Sequence, residues 1–167
     1  MKIFIPRFLI NLLSIFILPT RFYGLKNLIY RLGGVSIGSG VRITSECKIF
    51  GNGYISIGAN TWIGMGADLF IPEGGVLNIG ENCDIAPRVT FLCGTHKIGS
   101  SFQRAGIGMV EEINIGSGVW IGARSTILPG VNLNDGIVVA AGSVILRGDY
   151  PENVLLGGNP AKILRHL

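Results

Sequence analysis

From residue 35 onward, aliphatic side chains return at every sixth position. Ile115, Ile121, Ile127, Leu133, Val139 and Ile145 hold one unbroken frame. Shorter runs keep the same spacing with small slips between them: Ile37, Ile43, Ile49 and Ile55, then Ile57, Ile63 and Leu69, then Ile79, Ile85 and Phe91. Four residues after each aliphatic a small or β-branched residue is usual, as at Thr61, Ala67, Cys83 and Ser125, and Gly often follows the aliphatic directly, as at Gly58, Gly80, Gly116 and Gly122. A period of six fits neither the 3.6 of a helix nor the 2 of a strand, so each unit must be a short strand plus a turn. Such units bury their aliphatic row only by stacking on one another. Residues 35–156 are therefore expected to form a parallel β-helix. The 26 glycines among 167 residues, roughly twice the usual share, agree with many tight corners. They exclude a helical bundle, where each interior Gly costs ~1 kcal/mol relative to Ala.

Charge is uneven along the chain. Residues 1–34 hold Lys2, Arg7, Arg21, Lys26 and Arg31 and no acid, while the remainder is close to neutral, within a net charge of +4. A diffuse nucleic-acid surface is not indicated. Phe8 to Leu18 is apolar except for Asn11 and Ser14, and Pro19 ends it. As a helix this stretch rises ~16 Å, about half the thickness of a bilayer core, so it does not span. Phe22, Leu25, Leu28, Ile29 and Leu32 follow at helical spacing with Arg21, Lys26 and Arg31 as polar edges. Two readings stand: residues 1–34 lie in a membrane interface, as a peripheral contact on the inner face of the cytoplasmic membrane, or they cap the open end of the core or pack on another subunit. Cys47, Cys83 and Cys93 are odd in number and have no metal-binding spacing. They suit buried thiols in a reducing, cytoplasmic compartment, and no metal is expected.

Between Phe91 and Ile115 the rhythm fails, leaving a loop over residues 97–112. Loops of that length in compact repeats are functional or mobile rather than scaffolding. This one opens at His96, one of two histidines. An imidazole with an ordinary pKa near ~6.5 can accept a proton at neutral pH; the bland reading is a solvated turn residue. Glu73, in the PEGG turn one period before Thr95, is a candidate for orienting it, alongside Glu111, Glu112 and backbone carbonyls. Arg104 in the loop is a candidate for an acidic sugar or a phosphate. Cys93 raises a thiol nucleophile, set aside because no third member accompanies it.

Residues 35–167, with the segments IGARSTILPGV, VVAAGSVI and GGNPAKILR, resemble the hexapeptide-repeat acyltransferase family. The resemblance implies an all-β fold, a left-handed parallel β-helix with three hexads per coil, assembled as a homotrimer. Helices are expected at the N-terminus and a short helical segment within residues 157–167. It implies acetyl-CoA as acyl donor and His96, upstream of Val119-Trp120-Ile121-Gly122, as general base. Trp120, Ala123 and Ala141 would line the pantetheine groove; Arg147, Lys162 and Arg165 would meet the phosphates or the adenine end. Glu73 and Arg104 remain the acceptor-side candidates. The implied acceptor is a hydroxyl of a sugar or glycan intermediate, tipped by the N-terminal segment toward lipid-linked or surface-polysaccharide assembly. Serine, an antibiotic or an amino sugar would use the same groove, and a non-catalytic β-helix scaffold is the reading of another class. A γ-type carbonic anhydrase needs three zinc-binding histidines, and only His96 and His166 exist.

Overall fold

A computed structural model describes residues 5–167; Lys2, counted above among the N-terminal cations, lies outside them. The hexads wind into a solenoid with three parallel faces. The first stacks the strands Val35–Ile37, Tyr54–Ile57, Val76–Ile79, Ile113–Ile115, Val131–Leu133 and Gly148–Tyr150. The second stacks Arg42–Ile43, Trp62–Ile63, Asp84–Ile85, Trp120–Ile121, Val138–Val139 and Val154–Gly158. The third stacks Lys48–Phe50, Asp68–Phe70, Thr90–Leu92, Thr126–Ile127 and Val144–Ile145.

Each aliphatic row of the sequence becomes a buried column. Ile43, Ile63, Ile85, Ile121 and Val139 lie in register on the second face, and Ile49, Leu69, Phe91, Ile127 and Ile145 on the third. All ten are closed off from solvent. The frame slip at Ile55 and Ile57 has a simple origin: the strand Tyr54–Ile57 is four residues long and turns both isoleucines inward.

The Gly that follows an aliphatic marks the corner where coils touch most closely. A Cβ on Gly58 would fall 2.5 Å from the carbonyl carbon of Gly80, and one on Gly80 2.6 Å from that of Gly116. The next coil's backbone occupies the space a side chain would need.

The N-terminus forms two helices, α1 (Arg7–Ile15) and α2 (Tyr23–Leu32), laid over the first coil. That coil has a neighbour on one side only, so its other edge presents unpaired backbone groups that must find partners. Polar side chains from the helices supply them. Arg7 Nη1 and Nη2 donate to the carbonyls of Gly51 and Gly53 at 2.7 Å, and Asn11 both donates to Ile49 O and accepts from Ile49 N at 2.9 Å. Asn27 Nδ2 donates to Val41 O at 2.8 Å and the Tyr30 hydroxyl to Cys47 O at 2.6 Å. Lys26, read from the sequence as a polar edge of the apolar stripe, is fully buried. Its ammonium donates to Pro19 O at 2.6 Å and lies 4.7 Å above the Tyr23 ring. Burial pushes the Lys26 ammonium below its ordinary range.

The other end of the solenoid also departs from expectation. Ala161–His166 is a strand, not a helical segment, running antiparallel to Val154–Gly158. The last strand of the second face has no further coil to pair with, and this return strand satisfies its open edge. Among the described residues no helix is long and apolar enough to cross a membrane.

Candidate active site

The coil between Ile79 and Ile115 is twice as long as the one between Ile115 and Leu133, and the excess leaves the solenoid where the third face turns toward the first. It is not a loop, as expected from the missing hexads, but an antiparallel β-hairpin of Gly94–Ile98 and Ala105–Val110. The two strands pair with each other rather than with the neighbouring coils. At its tip Gly99 N donates to Arg104 O at 2.9 Å.

His96 stands on the first hairpin strand, exposed, directly across from Gly108. Because Gly108 has no side chain, nothing on the partner strand competes with the imidazole. The ring forms one wall of a cavity of about 520 Å³, with Phe50, Phe70, Pro72, Leu92 and Met109 among the others. Phe50 and Phe70 stack with centroids 4.5 Å apart and planes 10° from parallel. The result is a basic nitrogen-bearing ring at the edge of an almost wholly apolar chamber. The hollow opens to solvent, and among its lining residues His96 is the one ionisable side chain.

The remaining sequence candidates distribute over distinct places. Glu73 follows the cavity-lining Pro72 and is exposed in its turn, with no hydrogen bond to His96. Arg104 is exposed at the hairpin tip, its Nη1 donating to Gly99 O at 3.4 Å. Arg147 pairs with Glu111 at the base of the hairpin, on the same side of the solenoid as His96. Trp120, 56% exposed, projects from the second face. Ala123 and Ala141 stack on neighbouring coils where the second face turns into the third, linked by the Gly142 N to Ala123 O bond of 2.8 Å. Lys162 lies beside Gly157 at the top of that corner, with Arg165 exposed beside Leu155 on the second face. In one chain, then, the Ala123–Ala141 corner and the His96 corner are separated by the width of the third face.

Cys93 is buried, its Sγ 3.4 Å from Val76 O, and burial pushes its thiol up to about 11. It is no nucleophile at neutral pH. Phe50, Phe70 and Met109 were not singled out from the sequence. The two phenylalanines were legible there: each directly follows a core aliphatic, Ile49 and Leu69, in the place that the first two faces commonly give to Gly.

A family model described as the hexapeptide repeat of succinyl-transferase matches residues 112–147. The chain is 35% identical to the galactoside O-acetyltransferase of Escherichia coli over 118 residues, 68% of this chain and 58% of that protein. It spans less than two thirds of the length of the curated relatives it matches first. Among solved structures, a hexapeptide-repeat acetyltransferase of Vibrio cholerae in complex with acetyl coenzyme A superposes with a TM-score of 0.74 at 26% identity, covering 96% of this chain and 85% of that one. A polySia-specific acetyltransferase superposes with a TM-score of 0.59 at 31% identity, covering 75% and 61%.

Proposed function

The chain belongs to the hexapeptide-repeat acyltransferase family, and on that premise we propose that it moves an acetyl group from acetyl-CoA to a hydroxyl of a sugar or glycan acceptor, with His96 as general base. The observation that carries this reading is the exposed imidazole of His96 on the wall of a 520 Å³ apolar cavity, set on a hairpin that the solenoid itself does not need. Relatives support the chemistry: one is a galactoside O-acetyltransferase and one was solved with acetyl-CoA bound.

Acetyl-CoA supplies the acetyl group as an activated thioester. His96 takes the proton of the acceptor hydroxyl as the oxygen forms its bond to the acetyl carbon, then returns that proton to the departing sulfur. General-base help of this kind contributes ~10²–10⁴-fold in rate. The stacked Phe50 and Phe70 rings offer a flat apolar surface for the C–H face of a sugar ring.

The residues at the Ala123–Ala141 corner suit the donor. Small side chains on successive coils let a narrow pantetheine chain approach the backbone, and Lys162 at the top of the corner is an exposed cation for a phosphate. Because this corner and His96 stand a face apart in one chain, the working site is completed between neighbouring copies in a homotrimer, one copy giving His96 and the other the donor groove.

Release of CoA thiol from acetyl-CoA, followed with a panel of free and glycosidic sugars, tests the reading. Acceptor-dependent release together with a thermal shift on adding acetyl-CoA is the expected result. Neither signal would be seen from a scaffold, and release with serine or an amino sugar but no hydroxyl of a neutral sugar would move the acceptor to the small-molecule class.

A further inference from the structure

The N-terminal cap is built inside out. Its inward side carries Arg7, Asn11, Lys26, Asn27 and Tyr30, taken up by carbonyls as described, and its outward side is apolar. Ten of the twenty-three exposed large hydrophobic side chains among the described residues fall between Phe8 and Leu28. Phe8, Leu12, Phe16, Phe22, Leu25 and Leu28 are each more than half exposed, and they come from both helices and the turn between them. An ordinary solenoid cap has the opposite arrangement, with polar groups to water. A contiguous apolar face of this kind marks a surface that is covered in use.

Charge identifies what covers it. No acid precedes Glu46 in the sequence, and the two described cap cations not buried in the core are Arg21, exposed between Leu18 and Phe22, and Arg31, exposed but with its Nη2 donating to Ile37 O of the first coil at 2.9 Å. Apolar side chains bordered by cations match acyl chains beneath anionic headgroups; the nearest carboxylate in the chain, Glu46, belongs to the first coil, next to Ser45, whose N donates to Pro19 O at the turn between the helices. The face also runs into the active cavity. Phe50 and Gly51 line both the His96 chamber and an adjoining hollow bordered by Pro6, Phe8 and Asn11.

We propose that this cap seats the protein on an anionic lipid surface, with the His96 cavity reached along the same side of the molecule. Lipid binding stands independently of acetyl transfer. Its consequence, that the acceptor is drawn from that surface, rests on the acetyl-transfer reading.

Flotation of the full chain with vesicles of phosphatidylcholine containing about a third phosphatidylglycerol, against phosphatidylcholine alone, tests the proposal. The wild type is expected to float with the anionic vesicles, and several-fold less with neutral ones or at high salt. The double variant Leu12→Glu, Phe16→Glu is expected to lose about tenfold in partitioning, with melting temperature and light-scattering mass unchanged. Should that variant misfold, Phe16→Trp replaces it: brominated lipid is expected to quench the added indole fluorescence beyond the wild-type background. Wild type that stays unbound, a double-Glu variant that floats as well as wild type, or an indole that is not quenched would each overturn the proposal. So would a fall in the double variant's mass, which would make a second copy of the chain the occupant. CoA release from acetyl-CoA in solution, read on the same preparations, tells loss of lipid binding apart from failure of the enzymatic reading.

Discussion

Turnover of His96→Ala is expected to fall at least about a hundredfold while affinity for CoA is kept. The two halves of that expectation come from different parts of the molecule. His96 projects from the hairpin beside the cavity, whereas the proposed donor corner is formed by Ala123, Ala141 and Lys162 a face away. Removing the imidazole leaves that corner untouched, so calorimetric binding of CoA is the internal control. His96 is exposed, with Gly108 opposite and no hydrogen bond to another side chain, so its removal takes no packing from the fold and an unchanged melting temperature is expected. Near-wild-type turnover would reduce His96 to a solvated side chain on the hairpin strand. Loss of CoA affinity in step with turnover would place it in binding rather than proton transfer.

Gly80→Ala is expected to cost about 3 kcal/mol of stability, at the upper end of what overpacking produces. The Cβ would lie 2.6 Å from both C and O of Gly116 and 2.8 Å from Ser117 N, all backbone atoms. Backing away would stretch the Gly80 N to Ile115 O bond, 2.8 Å long, and with it the ladder joining these coils. Gly142→Ala is the control of similar chemistry and different cause. Gly142 has φ +71° and nothing within 4 Å of a new Cβ, so left-handed strain alone acts, about 1 kcal/mol. Urea unfolding of both variants measures the difference, and equal losses would remove close coil contact as the reason for Gly at that place.

The solenoid could be read from residue order because one short unit recurs and each unit's buried row is aliphatic. Ile121, Ile127 and Leu133 needed no long-range information to be placed inward. The cap could not be read in the same way. Helical spacing gathers Leu25 and Leu28 into one apolar stripe with Lys26 at its edge, and does not say which side meets the solenoid. Here the partner is the bare backbone edge of a first coil, which demands donors such as Arg7 Nη1 and Asn27 Nδ2, so the polar side turned inward. A similar open edge drew Ala161–His166 into a strand. Both departures arise at the ends of the solenoid, where the period says nothing about what closes it.

At the candidate site, the break in the hexads located His96, but not the form of the excursion. Gly94↔Val110 and Thr95↔Met109 pair across a hairpin whose strands are too short and glycine-rich to show clear alternation. The apolar wall was legible in principle. Phe50, Phe70 and Leu92 on the cavity wall, like Leu128 and Leu146 beyond it, each follow the buried apolar residue of a third-face hexad, a regularity visible only once the hexads are sorted by face. Arg147 shows the opposite limit: its basic character was plain, but its pairing with Glu111 depends on where the hairpin rejoins the coil.

A crystal structure of the full chain with CoA tests the central claim most directly. The account predicts the CoA sulfur within about 4 Å of the His96 imidazole, the distance at which proton transfer and attack can be concerted. It also predicts the pantetheine chain against Ala123 and Ala141 of a neighbouring copy. A sulfur remote from His96, or a CoA lodged away from that corner, would contradict it.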